Sequence, residues 1–408
     1  MRNPIHPEHD GNGSGMTLAA EPLAGHLHHG GRLRQAAEHY GIPLAAWLDL
    51  STGINPLGWP VPPVPAAAWS RLPEDWDGLE QAARVYYGAE HLLPVAGSQA
   101  AIQALPWLRP PGRVGVLSPG YAEHAAAWRR AGHEVRAVSA EEMARSVSGS
   151  YHELHVNSHE ATRHPPDHER LSCDFDTKSG ARAGSGPDLP VAEEVLESCD
   201  VLVLIHPNNP TGVRFPQDQL LDWHARLAAR GGWLVVDEAF MDVTPEVSLC
   251  PFTSRPGLIV LRSLGKFFGL AGARLGFVCA QPPLLAALHH RLGPWAVNAP
   301  ARWVATLALA DGNWQAQARH HLVAAGERLQ ALLTRQGLAP AGGCALFQWI
   351  VTPQAPQLHQ TLARQGILTR LFQEPASLRL GLPGSEVDWA RLEQALAGLV
   401  GPPAEVSP

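Results

Sequence analysis

The sequence predicts an α/β protein: a mostly parallel sheet covered by helices, with a smaller second domain towards the carboxyl end. Apolar runs of strand length, helical patterns between them, and a change of texture past Pro294 carry that prediction. In chain order the strand candidates are "RVGVLS" (113–118), "DVLVLIHP" (200–207), "GWLVVDEAF" (232–240), "GLIVLRS" (257–263) and "RLGFVCA" (274–280). Their apolar residues run on rather than alternate, the pattern of strands buried on both faces. "PQDQLLDWHARLAARG" (216–231) spaces its apolar residues at helical intervals and stops at Gly231. Strands alternating with helices make a parallel sheet. Past Pro294 come long alanine- and leucine-rich helices and two further strand candidates, "CALFQWIV" (344–351) and "SLRLGL" (377–382). The expected division is an amino-terminal arm with part of the small domain over 1–69, a large domain over 70–292 and the small domain over 293–408.

The 408 residues, 45% hydrophobic and 17% charged, are enough for a large core. No stretch reaches the roughly 20 apolar residues that cross a bilayer, and the opening "MRNPIHPEHDGNGSGM" has no apolar signal core. A cytoplasmic protein is expected. A net charge of -7 disfavours nucleic acid or an anionic membrane as the main partner and leaves a small molecule as the expected one. Cys173, Cys199, Cys250, Cys279 and Cys344 are odd in number, scattered and without a CxxC pair, so buried thiols are expected. The segment 146–190, rich in Ser, Gly, His and Pro, reads as a mobile surface insertion. It carries His152, His155, His159, His164 and His168, but such a composition offers no rigid second shell, and no metal is expected.

The chemistry centres on "LRSLGKFFGLAGARLGF" (261–277), where Lys266 sits among glycines and apolar residues. An ammonium in such surroundings is costly without partners. "HPNNPTGV" (206–213) follows one strand candidate and "VVDEAF" (235–240) ends the next. Ligands bind at the carboxyl edge of a parallel sheet, so Asn209, Asp237 and Lys266 converge on one cleft. A lysine there loses its proton to desolvation and nearby cations, and a neutral amine condenses with an aldehyde. Paired with an aspartate facing a pyridine nitrogen, it is the signature of pyridoxal phosphate handling. "VAGSQAAIQAL" (95–105) sets Gly97, Ser98 and Gln99 at a helix start suited to the cofactor phosphate. Ser263 and Arg274 add a hydroxyl and a guanidinium, and Tyr121 in "SPGYAEH" is placed to stack on the ring.

"NPTG", "DEAF" and "SLGKFFGLAGARLG", in this order, resemble the fold-type I pyridoxal-phosphate enzymes of the aminotransferase class. That resemblance implies a large domain with a mostly parallel seven-stranded sheet, a smaller α+β domain and a homodimer. It makes Lys266 the lysine that bonds the cofactor, Asp237 the partner of the pyridine nitrogen, Asn209 a donor to the ring hydroxyl and Arg379 the anchor of the substrate carboxylate. The stretch "HLHHGGRLRQAAEHYGIPLAAWLDLSTGINPLGWP" (26–60) is similar to the opening of the threonine-phosphate decarboxylases of cobalamin biosynthesis, relatives of the histidinol-phosphate aminotransferases. This likeness implies L-threonine O-3-phosphate as substrate, and His29, Gly30, Arg32, Asn55 and Arg370 among its contacts. Phe240 fits it, since the related aminotransferases normally read DEAY; a phosphate-substrate aminotransferase is the alternative. One departure is Leu72 in "SRLPEDWDGLEQ" (70–81), where the group commonly has a tyrosine reaching the partner subunit's cofactor phosphate. Trp76 and Tyr86 are the nearby candidates to compensate.

Overall fold

A computed structural model of the chain describes residues 29–144 and 191–397. The segment read as an insertion, its five histidines and Cys173 lie outside the described residues. Thirteen strands are described. They are β1 (Leu48–Asp49), β2 (Leu92–Val95), β3 (Arg113–Leu117), β4 (Glu134–Val138), β5 (Val201–Ile205), β6 (Trp233–Asp237), β7 (Leu258–Ser263), β8 (Gly276–Cys279), β9 (Gly342–Cys344), β10 (Phe347–Val351), β11 (Ile367–Leu368), β12 (Arg370–Phe372) and β13 (Ser377–Gly381).

Seven of them form the large sheet, in the order β2-β8-β7-β6-β5-β3-β4. β8 runs antiparallel to both β2 and β7, and the remaining pairs are parallel. The unbroken apolar runs have a simple cause. Successive side chains on a strand point to opposite faces, and both faces of this sheet are covered. Leu202, Leu204, Leu234, Val236, Leu258 and Val260 pack into one core. Val201, Val203, Val235, Ile259 and Leu261 pack into a second.

From β3 the chain moves outward to β4, then returns to the other side of β3 with β5 and continues to β6 and β7. The order therefore reverses between β3 and β5, and the crevice outside the carboxyl ends at such a reversal is where open α/β sheets bind ligands. The loops beginning at Ser118 and His206 leave the sheet there.

A four-stranded antiparallel sheet, ordered β12-β13-β10-β9, follows the helices Ala299–Ala310 and Gly312–Arg335. The expected single strand over 344–351 is two strands. Phe347 pairs with Cys344 across a tight turn, and at Gly343 a Cβ would lie 2.5 Å from the Phe347 carbonyl oxygen. The helix read over 216–231 spans Gln217–Ala228 and ends through Gly231, whose φ of 71° favours glycine. β1 pairs in parallel with β11, joining the amino-terminal part to the carboxyl-terminal part. Cys199, Cys250, Cys279 and Cys344 are buried free thiols. Among the described residues no helix is long and apolar enough to cross a membrane.

Behind the large sheet's carboxyl edge lies a buried ionic cluster. The Arg262 guanidinium donates to Glu238 at 2.6 Å and to Asp242 at 2.7 Å and lies 4.6 Å from the centre of the Tyr87 ring. Glu238 also accepts from the Leu249 N–H at 2.7 Å.

Candidate active site

Lys266 follows β7, Asp237 ends β6, Asn209 follows β5 and Tyr121 follows β3, so the parallel strands deliver these side chains to one edge. Lys266 is half-buried, with its Nζ 5.6 Å from the centre of the Phe240 ring. Burial pushes its pKa down to about 8; the Arg379 guanidinium and Arg274 push the same way, and Asp237 opposes them. A substantial neutral fraction at physiological pH makes the amine a nucleophile.

Asp237 is buried and its two oxygens have separate partners. Oδ2 lies 2.9 Å from His124 Nε2, and Oδ1 accepts from the Ala239 N–H at 3.1 Å. A carboxylate only accepts, so His124 carries its proton on Nε2 in this pair. His124 is itself buried on the helix Glu123–Arg130, which opens one residue before it.

The opposite wall comes from the small sheet and the amino-terminal part. Arg379, on β13, donates to Asn209 Oδ1 and, at 2.7 Å, to the Ser51 carbonyl. Its guanidinium stands 5.1 Å from the centre of the Phe347 ring. Neither acceptor is a carboxylate. Burial pushes its pKa down to about 10, with Arg370 adding repulsion. Arg370 is its cross-strand partner on β12, and burial and Arg32 lower its pKa in turn. Arg379 thus stands near both Lys266 and Arg370, and Arg370 near Arg32.

Tyr121 lies near Glu123, Asp237, Arg274 and Arg370; burial comes first among the causes that push its phenol up to about 12. Its hydroxyl donates to Gln99 Oε1 at 3.2 Å. Gln99 and Ser98 open the helix Ser98–Ala104, preceded by Gly97 at φ 71°. A Cβ on Gly97 would lie 2.7 Å from the guanidinium of Arg274, which is exposed and itself in the left-handed region at φ 50°. Ser263 Oγ accepts from the Gly265 N–H at 3.2 Å. The donor set of a glycine turn, hydroxyls and an accessible guanidinium fits a phosphate, and the lysine and buried carboxylate fit an aldehyde and a pyridine nitrogen. The residues present therefore suit pyridoxal 5'-phosphate. Among the described residues no cluster suited to a metal ion occurs.

His29 Nε2 lies 2.8 Å from Glu123 Oε1, and its ring is 5.7 Å from that of Tyr121. At Gly30 a Cβ would fall 2.3 Å from the Ser51 carbonyl oxygen, so only glycine fits. Asn55, expected among the substrate contacts, makes one bond to the backbone from each end of its amide. It donates to the Phe267 carbonyl at 2.9 Å and accepts from the Leu57 N–H at 2.9 Å, and its own N–H donates to the Lys266 carbonyl at 2.9 Å. It holds the turn that carries Lys266. Leu72 and Trp76 are exposed, and Tyr86 is turned inward, its hydroxyl accepting from Arg319 at 3.3 Å. Sequence reasoning missed His124, Glu123 and Ser51. The first two stand in the "SPGYAEH" stretch already singled out for its tyrosine, which was the available signal.

Residues 75–398 match the family model for aminotransferase class I and II. The chain is 54% identical to a threonine-phosphate decarboxylase of Pseudomonas aeruginosa over 93% of its own length and 100% of that protein's. Among solved structures it is similar to histidinol-phosphate aminotransferase from Sinorhizobium meliloti in complex with pyridoxal-5'-phosphate, with a TM-score of 0.67 at 17% identity, covering 91% of this chain and 98% of that one. It is similar also to L-threonine-O-3-phosphate decarboxylase from Porphyromonas gingivalis, with a TM-score of 0.59 at 17% identity, covering 81% and 93%. The chain, with Lys266 and Asp237 at the carboxyl edge of its large sheet, belongs to the aminotransferase class I and II family.

Proposed function

We propose that the protein is a pyridoxal 5'-phosphate-dependent carboxy-lyase that converts L-threonine O-3-phosphate to (R)-1-amino-2-propanol O-2-phosphate and carbon dioxide in cobalamin biosynthesis. The observation that carries this reading is Arg379, buried near Lys266 with two neutral acceptors, Asn209 Oδ1 and the Ser51 carbonyl, and with Arg370 as its cross-strand partner. A buried guanidinium with no carboxylate bonded to it suits an anionic ligand. A substrate bearing a carboxylate for Arg379 and a phosphate for the neighbouring Arg370 matches that arrangement. Near-complete alignment with the Pseudomonas aeruginosa threonine-phosphate decarboxylase supports the same substrate.

When bound, the cofactor supplies a protonated pyridine that withdraws electrons from the substrate Cα bond lying perpendicular to its ring. Asp237, held by His124 and the Ala239 N–H, is fixed to carry the pyridinium charge. Tyr121 would cover the ring, and Asn209 would donate to the ring hydroxyl. Gly97, Ser98, Gln99, Ser263 and Arg274 would hold the cofactor phosphate. Arg379 grips the substrate carboxylate bidentately and sets its direction, and direction decides which bond is weakened. Arg370, Arg32, His29 and the Gly30 turn take the substrate phosphate. Lys266, its pKa near 8, delivers a proton to Cα after carbon dioxide leaves.

The assembly read here is a cytoplasmic homodimer. The dimer is supported by the apolar side chains of Trp69, Leu72, Trp76 and Val85, all in solvent along 69–85, and sedimentation equilibrium measures it. The activity itself is tested by giving the cofactor-loaded protein L-threonine O-3-phosphate without a keto acid. Stoichiometric carbon dioxide and aminopropanol phosphate, identified by mass, are expected. No carbon dioxide, but turnover of histidinol phosphate once 2-oxoglutarate is added, would make it an aminotransferase.

A further inference from the structure

Glu123 is half-buried, and both of its carboxylate oxygens are occupied. Oε1 lies 2.8 Å from His29 Nε2, and Oε2 accepts from the side-chain amides of Gln99 and Gln103, each at 3.1 Å. Gln99 in turn accepts from the Tyr121 hydroxyl at 3.2 Å. One carboxylate therefore joins a residue of the amino-terminal part, a residue of the cofactor-phosphate turn and, through Gln99, the aromatic wall. The separation in sequence from Glu123 to His29 is 94 residues.

The segment it grips has little freedom on its other side. Gly30 is pressed against the Ser51 carbonyl, and the Gly31 N–H donates to Ser51 Oγ at 2.7 Å, with φ 79° at Gly31. Arg32 comes next, near Arg370.

We infer that Glu123 is a positioning residue that latches the segment carrying His29 and Arg32 over the site and so sets the affinity for the phosphorylated end of the substrate. The effect on affinity rests on the substrate reading above; the latch itself does not. A carboxylate would repel a substrate phosphate directly, but this one is surrounded by three side-chain partners and acts by holding them. The hold is geometric: the imidazole and the two amides are fixed before substrate arrives, and pre-fixed groups lose less freedom on binding.

The test compares cofactor-loaded wild type with Glu123→Ala and Glu123→Gln. Two quantities are read: kcat and KM for decarboxylation of L-threonine O-3-phosphate, and amide hydrogen exchange of the peptide spanning 29–40. For Glu123→Ala, KM is expected to rise between about tenfold and a hundredfold, kcat to fall less than KM rises, and exchange at 29–34 to quicken. Glu123→Gln keeps a hydrogen-bonding group in place and is expected to return KM to within about threefold of wild type and exchange to the wild-type rate. Unchanged KM and unchanged exchange in Glu123→Ala would overturn the inference. So would a joint loss of kcat, KM and bound cofactor absorbance that Glu123→Gln fails to rescue, since that is the mark of a folding role. If wild type releases no carbon dioxide while Glu123→Ala still quickens exchange at 29–34, the substrate reading falls and the latch stands.

Discussion

Arg262 and Arg379 are both buried guanidiniums, 1% and 6% exposed, and each stacks near an aromatic ring. Their partners differ. Arg262 on β7 is met by the carboxylates of Glu238 and Asp242. Burial alone lowers its pKa, but Asp242, Cys250 and Glu238 together hold it well above the ordinary value. Arg379 on β13 has an amide oxygen and a carbonyl, and its pKa is driven down. A buried cation matched by carboxylates is finished as a structural unit. One that meets only neutral acceptors is held short of its charge balance, and the missing anion is a ligand's to bring. Lys266 belongs with Arg379: its pKa is also depressed, and Asp237 only partly opposes the shift.

The contrast can be broken or sharpened by four measurements. Lys266→Ala is expected to cut carbon dioxide release by on the order of 10⁴-fold, because both the cofactor bond and the Cα proton are lost; retained turnover with bound cofactor would remove Lys266 from the ligand-facing class. Arg262→Ala leaves Glu238 and Asp242 buried without a cation and is expected to lower unfolding free energy by about 3–5 kcal/mol in urea titration. Arg379→Ala should lower kcat/KM by about 10²-fold while leaving the urea midpoint of the apoprotein unchanged or higher, because an incompletely balanced charge is removed. A drop in midpoint as large as that of Arg262→Ala would erase the distinction.

The smallest effect concerns pH. Lys266 has a folded pKa of about 8 against 10.5 when free. Between those values the unfolded chain binds more protons, so stability rises with pH there and the cost of the buried charge is fully present below about pH 8. The apoprotein is expected to gain roughly 2 kcal/mol from pH 8 to 10.5, allowing for its partial contact with solvent. Lys266→Met, followed by the same urea titrations, is expected to lose that part of the slope.

The large sheet was legible where its strands are buried on both faces, since those have to be continuous apolar runs; β3, β5, β6, β7 and β8 fall in the segments read as strands. β4 escaped because it is an edge strand whose pattern is mostly exposed, and β2 because it is short and contains Pro94. Lys266, Asp237 and Asn209 were legible through punctuation at the ends of strands. The His124–Asp237 pair was not, because its members are 113 residues apart and a histidine on a helix has no pattern that names its partner. Nor did Asn55 declare that both ends of its amide serve the backbone. Spacing shows what a residue can do; which groups it meets depends on folding at a distance.

The parallel pairing of Leu48 and Asp49 with Ile367 and Leu368 has a consequence for the order in which the protein is made. Leu50, wholly buried, donates its N–H to the Leu368 carbonyl. On the ribosome this early strand emerges long before its partner exists, while the strands of the large sheet come out between the two. The large sheet is therefore free to form first, and the amino-terminal strand waits until nearly the whole chain has been released. Arg379 lies later still, so a chain cut short before β13 carries Lys266 without the arginine opposite it.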